Sequence, residues 1–321
     1  MTLTDKIRKV NIEPGSSFHQ LLLMVVLVAA VAGLSISSPF FLKWDNMRNI
    51  LDQSVINIII GAGMTYVISS GGIDLSVGAA AAVCGVIIAL LLKAGLPVFP
   101  AAAAGLLAGA LLGGANGLMV SRLKVNPFIV TLASMSVFRG LTLILTKSIP
   151  IYSFPTEFTW LGSGSVIGMP VPVIITLAVV ALAWTTIRRT RLGYYTMAIG
   201  GNEEALRRTG VSVDYYKTAI YMISGFTAAL AGLIVTARLN SADPLAGYMY
   251  ELDAIATVIL GGTSIKGGHG SMAGTVIAGL FLSVVRNGLT INGIASYCQQ
   301  LLVGLIILFA VVISERSGRR L

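Results

Sequence analysis

The chain has 321 residues, 55% hydrophobic and only 11% charged, where a soluble domain carries roughly 25% charge, so a water-exposed fold of this size is excluded as a first reading. Its 22 basic and 13 acidic residues give a formal net charge of +9, which would suggest nucleic acid in a soluble chain but marks one face of the bilayer in a membrane chain. Cys84 and Cys298, with two distant histidines, His19 and His269, supply neither a disulfide scaffold nor a metal site.

A membrane-crossing helix needs about 20 apolar residues. On that scale the chain offers ten candidate spans, at 20–37, 51–69, 77–93, 98–120, 127–146, 171–187, 218–237, 252–263, 270–287 and 296–314. The eighth is short and the ninth glycine-rich. The expected fold is therefore all-α, a polytopic membrane protein of about ten transmembrane helices, with residues 1–321 forming one transmembrane domain. A longer loop follows at 147–170, and another at 188–217. The first span, behind a basic leader, is read as retained helix and not as a signal peptide. With both termini cytoplasmic, 15 of the 22 basic residues fall on the inner side and six on the outer, while Arg139 lies inside the fifth span.

In chain order, the first polar interruption is Ser70 to Gly78, which carries Ser70, Asp74 and Ser76 between the second and third spans. In the fourth span Gly105, Gly109, Gly113 and Gly117 recur every four residues, so one helical face admits another backbone at close range. Asn116 is the polar residue beside that face. Ser224, Ala228 and Gly232 make a similar small face in the seventh span, as do Gly270, Gly274 and Ala278 in the ninth. The run Leu260 to Gly268 echoes Ser70 to Gly78 as a glycine-punctuated break at a helix end, and transporters are often built from repeats with broken helices. An ordinary double-glycine turn explains the same pattern.

No phosphate-binding loop, zinc-protease motif or serine-esterase elbow is present, so no catalytic engine is visible and the chain is not expected to be an enzyme. No cofactor of its own is expected. Energy for transport would come from an ion gradient or from a separate ATPase. A gradient-driven carrier needs ionisable groups at mid-span, and the span centres nearly lack them. Arg139 is the exception, and its surroundings should be a carboxylate, helix-end carbonyls or water. The remaining candidate path is Ser70, Asp74, Ser76, Asn116, Thr131, Ser134, Arg139 and Asn287, mostly hydroxyl and amide groups suited to a neutral polyhydroxylated solute. Local bonding of Ser and Thr to their own helices, and a capping role for Asp74, are the competing structural readings.

The cytoplasmic loop 188–217 holds six positive and three negative charges. Gly200 and Gly201 interrupt the chain, Asn202 is placed to cap, and Glu203 and Glu204 sit where a helix dipole favours negative charge. Ala205, Arg207 and Arg208 follow, the arginines within i,i+4 reach of the acids, and Gly210 ends the helix. A helix this short gains order by docking into something. Glu204-Ala205-Leu206-x-x-x-Gly210 resembles the Glu-Ala-Ala-x-x-x-Gly loop of ABC-importer permeases, with Leu206 in place of the second alanine.

Three further strings extend the likeness: GIDLSVG from Gly72, TRLGYY from Thr190 with GGNEEA from Gly200, and YELDAIA from Tyr250 with GGTSIKGG from Gly261. In order and spacing the chain resembles the ribose-type permeases of bacterial sugar ABC importers. The resemblance implies an inner-membrane permease that pairs with a second permease copy, an ATPase subunit with two nucleotide-binding domains that binds ATP and Mg, and an extracytoplasmic sugar-binding protein. It also implies that the loop around Glu204 couples ATPase closure to the spans, with lipid and not nucleic acid as surroundings. Ribose, a related monosaccharide, a nucleoside or a sugar-like signal molecule fit as cargo. An ion-driven carrier and a structural or receptor subunit are the rival classes.

Overall fold

In the computed structural model, residues 16–295 are described together with 298–302, 304, 305 and 308. The expected tenth span, 296–314, and the basic leader lie largely or wholly outside the described residues. Five helices open the chain: α1 (Ser17–Ser37), α2 (Trp44–Ser69), α3 (Val77–Lys93), α4 (Val98–Ser121) and α5 (Pro127–Thr146). A short segment follows with strand β1 (Ile151–Tyr152), helix α6 (Thr156–Ser163), and strands β2 (Ser165–Val166) and β3 (Met169–Pro170). Then come α7 (Val171–Arg189), α8 (Arg191–Arg208), α9 (Val213–Leu239), strand β4 (Ser241–Ala242), α10 (Tyr250–Leu260) and α11 (Met272–Ile291). Antiparallel pairs β1–β4 and β2–β3 are two residues per strand.

Local chemistry sets several boundaries. Ser16 caps α1 by accepting from the His19 amide, and Ser271 caps α11 by accepting from the Gly274 amide. Asn126 caps α5 directly before Pro127, where a missing N–H is harmless. Seven helices, α1, α2, α4, α5, α7, α9 and α11, are long and apolar enough to cross a bilayer. The chain is thus a multi-pass helical protein. Helices α3 and α10 are shorter, 17 and 11 residues.

The loop 147–170 holds more structure than its sequence suggested. Helix α6 packs into the C-terminal end of α9, where Gly162 lies against the backbone of Ala237 and Arg238. The Arg191–Gly201 part of the second loop is helical too, extending the chain from α7 around a corner at Thr190.

Helices α2 and α9 form the buried centre, while α1 is almost wholly exposed on its flank. Packing is closest between α4 and α9. Gly113 lies against the Tyr221 carbonyl and the Gly225 Cα, Gly109 against Gly225 and Ala229, and Gly117 against Thr218. Those pairs run antiparallel, and all four glycines of the α4 face are buried. Association in lipid relies on such contact because lipid tails offer no hydrophobic gain for burying a leucine.

The same pairing rules fix two ends of the bundle. The C-termini of α2, α4, α7 and α10 and the N-termini of α5, α9 and α11 share the end that carries α8. The N-terminus of α1 joins them: the His19 ring nitrogen lies 3.0 Å from the Leu260 carbonyl, and Gln20 donates to Ser271. The β1–β4 ladder and α6 cover the opposite end.

Candidate functional site

Two polar regions stand out, one within the bundle and one at the α8 end. Between α2 and α3 the chain is not helical, and Asp74, fully buried, lies against Ser224 of α9. Ser224 is 11 residues inside α9, about 16 Å along its axis at 1.5 Å per residue. That is close to the middle of the bundle.

Hydrogen bonds there run in one direction. Ser134 Oγ of α5 donates to Asn116 Oδ1 of α4 (2.5 Å), Asn116 Nδ2 to Ser76 Oγ (2.9 Å), and Ser76 Oγ to Asp74 Oδ1 (2.6 Å). The Ser76 amide adds a bond to the same oxygen (3.0 Å), and Ser224 Oγ donates to Asp74 Oδ2 (2.7 Å). A carboxylate only accepts, so it terminates a chain of donors from four elements. The Tyr221 hydroxyl donates to the Ile73 carbonyl at 3.4 Å, and Thr131 Oγ1, which donates to the Pro127 carbonyl of its own helix at 2.9 Å, lies 3.3 Å from the same Ile73 oxygen. Five of the eight expected path residues, Asp74, Ser76, Asn116, Thr131 and Ser134, therefore meet in one buried network.

The other three do not join it. Ser70 Oγ donates back to the Val67 carbonyl within its own helix. Asn287 of α11 donates to Asn46 at the far end of α2, and its Oδ1 has no partner among the described residues. Arg139 donates through Nη1 to the carbonyls of Pro244 (2.9 Å) and Ala246 (2.7 Å), with Thr142 adding a bond to Pro244. Those carbonyls belong to residues 243–249, an irregular segment that follows β4 and runs into the bundle before α10. Non-helical backbone between membrane helices needs partners for its polar groups, and these donors supply them. The segment meets the start of α3 where Gly78 lies against Gly247.

Two participants were not singled out for this role from the sequence. Ser224 was read as part of a small packing face, and its hydroxyl was the available signal. Tyr221 carries no such signal, and its spacing from Ser224 places both on one side of α9, from which their hydroxyls reach Ile73 and Asp74.

At the end of the bundle, α8 bends at Asn202, whose φ of −159° and ψ of 95° break the helix. Its side-chain oxygen accepts from the Ala205 amide at 2.9 Å, capping a second helical piece. Glu203 bonds both Arg207 (3.1 Å) and Lys217 (2.6 Å), Arg207 also reaches Asp214 (2.8 Å), and Glu204 pairs with Arg208 (3.2 Å). Partial burial pulls the Glu203 carboxyl upward, but hydrogen bonds and charge from Lys217 and Arg207 outweigh it, so its pKa lies below the usual value. Gly210 follows the helix with a φ of +84°. Tyr195 packs edge-on against Tyr216 at 4.6 Å, holding the first half of α8 to α9. Arg208 and Glu204 remain exposed at the tip. The echoing run Leu260–Gly268 packs beside this loop and against the start of the Ser70–Gly78 break, where the Gly268 amide donates to the Ser69 carbonyl at 2.9 Å. Among the described residues no group of His, Cys, Asp and Glu is arranged to hold a metal.

The chain is 43% identical over 300 residues to the ribose import permease protein RbsC of Haemophilus influenzae, covering 92% of this chain and 93% of that one. The Bacillus subtilis ribose import permease protein is 43% identical over 303 residues, 94% of this chain and 92% of its own. The L-arabinose transport system permease protein AraH of Escherichia coli is 34% identical over 298 residues, 93% and 91%. No solved structure matches the chain. Residues 46–311 match the family described as branched-chain amino acid transport system / permease component, and the chain belongs to that family of transport permeases.

Proposed function

We propose that this protein is the permease subunit of a bacterial inner-membrane ABC importer for a monosaccharide, ribose or a close relative. The observation that carries the reading is the similarity to ribose import permeases over more than nine-tenths of both chains. The family description speaks of branched-chain amino acids, but the relatives that match end to end are named for ribose, allose and arabinose. The polar network also suits a polyol. Every hydroxyl and amide between Ser134 and Asp74 is engaged with a neighbour, so a sugar enters by exchanging those bonds one for one with its own hydroxyls. A leucine side chain offers no such exchange.

In this reading the α8 end is cytoplasmic and the second piece of α8, with Asn202, Glu203, Glu204, Ala205, Arg207, Arg208 and Gly210, docks on a separate ATPase that holds ATP and Mg. An extracytoplasmic sugar-binding protein delivers cargo at the opposite end, and a second permease copy completes the pathway. Closure of the ATPase moves α8, and the network around Asp74 opens. The substrate class is tested by reconstituting the permease with its ATPase and binding protein in liposomes and following labelled ribose, allose, arabinose and leucine. ATP-dependent uptake of one or more sugars and none of leucine is expected. Leucine uptake without sugar uptake would overturn the assignment.

A further inference from the structure

Three backbones meet at Gly200 with no side chain between them. A methyl group at this position would collide with the Ser69 carbonyl oxygen and the Gly268 amide nitrogen, and would lie 2.9 Å from the Gly267 Cα. Ser69 is the last residue of α2, and its carbonyl already accepts from the Gly268 amide at 2.9 Å. On Gly267 an added carbon would stand 2.8 Å from the Gly71 amide nitrogen and 2.7 Å from the Gly200 Cα. The end of α8's first half, the break after α2 and the turn between α10 and α11 are therefore one contact. The next residue, Gly201, has nothing within 4 Å of the same added atom.

We infer that Gly200 is a positioning residue, the joint through which the short helix after Asn202 is tied at once to the break leading to Asp74 and to the turn leading from α10 into α11. Side chains between moving parts absorb a displacement by changing rotamer. Backbones in direct contact do not, and close-packed interiors transmit a shift instead of deforming. Gly200 stands two residues before the Asn202 bend, while Ser69 stands five before Asp74. A tilt of the short helix thus reaches the polar network through one rigid contact. This inference rests on the proposal that the short helix docks on an ATPase.

Hydrogen exchange on the wild-type complex of permease, ATPase and binding protein, with and without a non-hydrolysable ATP analogue, reads this transmission. Exchange is expected to change together in residues 202–208, 67–72 and 262–269. A change confined to 202–208 overturns the role of Gly200 and leaves the docking of the helix intact. No protection of 202–208 on assembly with the ATPase overturns the docking itself, and the inference with it.

Gly200→Ala and Gly201→Ala give a second reading. Gly200→Ala is expected to assemble with the ATPase yet deliver about tenfold less sugar per ATP hydrolysed, a loss within the range that coupling residues show. Gly201→Ala should match wild type. An unchanged ratio in Gly200→Ala, or an equal loss in both variants, refutes the assignment. Should Gly200→Ala fail to assemble, the wild-type exchange pattern decides the question.

Discussion

Gly113 and Gly225 touch across α4 and α9 at a distance that admits no side chain. Gly113→Ala is expected to destabilise the permease by about 1–3 kcal/mol, the usual cost of overpacking, read as a lower thermal midpoint in detergent. Gly140→Ala, where nothing lies within 4 Å, serves as the neutral control. Asp74 calls for a different pair. Asp74→Ala leaves the Ser76 amide and two hydroxyls without their acceptor, a loss of about 1–3 kcal/mol for each buried group stranded, and should depress both stability and uptake. Asp74→Asn keeps an acceptor for Ser76 and offers an amide to Ser224, so ATP-driven uptake should persist. Abolished uptake in Asp74→Asn with normal stability would show that the negative charge itself is needed. At this scale the glycine face is legible from its spacing alone. Which polar residues would meet is not, because periodicity gives a residue's face and not the helix opposite it. Asn116 and Asn287 look alike in sequence, yet one joins Ser76 and Ser134 and the other Asn46.

The short helix after Asn202 was readable in nearly every detail because its determinants are local: a capping side chain, two acids in the first turn, and two arginines one turn on. Glu203 adds links that local sequence does not specify as a set, to Lys217 and, through Arg207, to Asp214 at the start of α9. Its depressed pKa stabilises the docked helix fully above the ordinary glutamate value, and that contribution is lost as the pH falls through the depressed one. Proteolysis of the loop should accelerate as the pH falls below about 4.5, and Glu203→Gln should be cleaved faster at neutral pH with a weaker acid response. An unchanged cleavage rate in that variant at neutral pH would remove Glu203 from the support of this helix. The effect is modest because the side chain is 37% exposed. Elements fixed by distant partners were harder to read. The shortness of the eighth span is visible in the sequence, but the descent of residues 243–249 into the bundle depends on Arg139 and Thr142, about 100 positions earlier. Helix α6 owes its place to contact with α9 and was read only as loop.

Across the whole molecule the composition has a physical explanation. Among the described residues seven helices are apolar enough to cross a bilayer, and Asp253, buried at the start of α10, is paired with Arg286 of α11 at 2.6 Å. Asp74 is held by neutral donors, and Arg139 by backbone carbonyls. Among the described residues neither belongs to a group of acids arranged to hold a metal ion. The most direct measurement is sugar uptake into proteoliposomes containing the permease, its ATPase and the binding protein, with proton and sodium gradients set independently of ATP. Uptake should require ATP hydrolysis and the binding protein and should continue when both gradients are dissipated. Uptake that persists without the ATPase and follows a proton or sodium gradient would contradict the proposal.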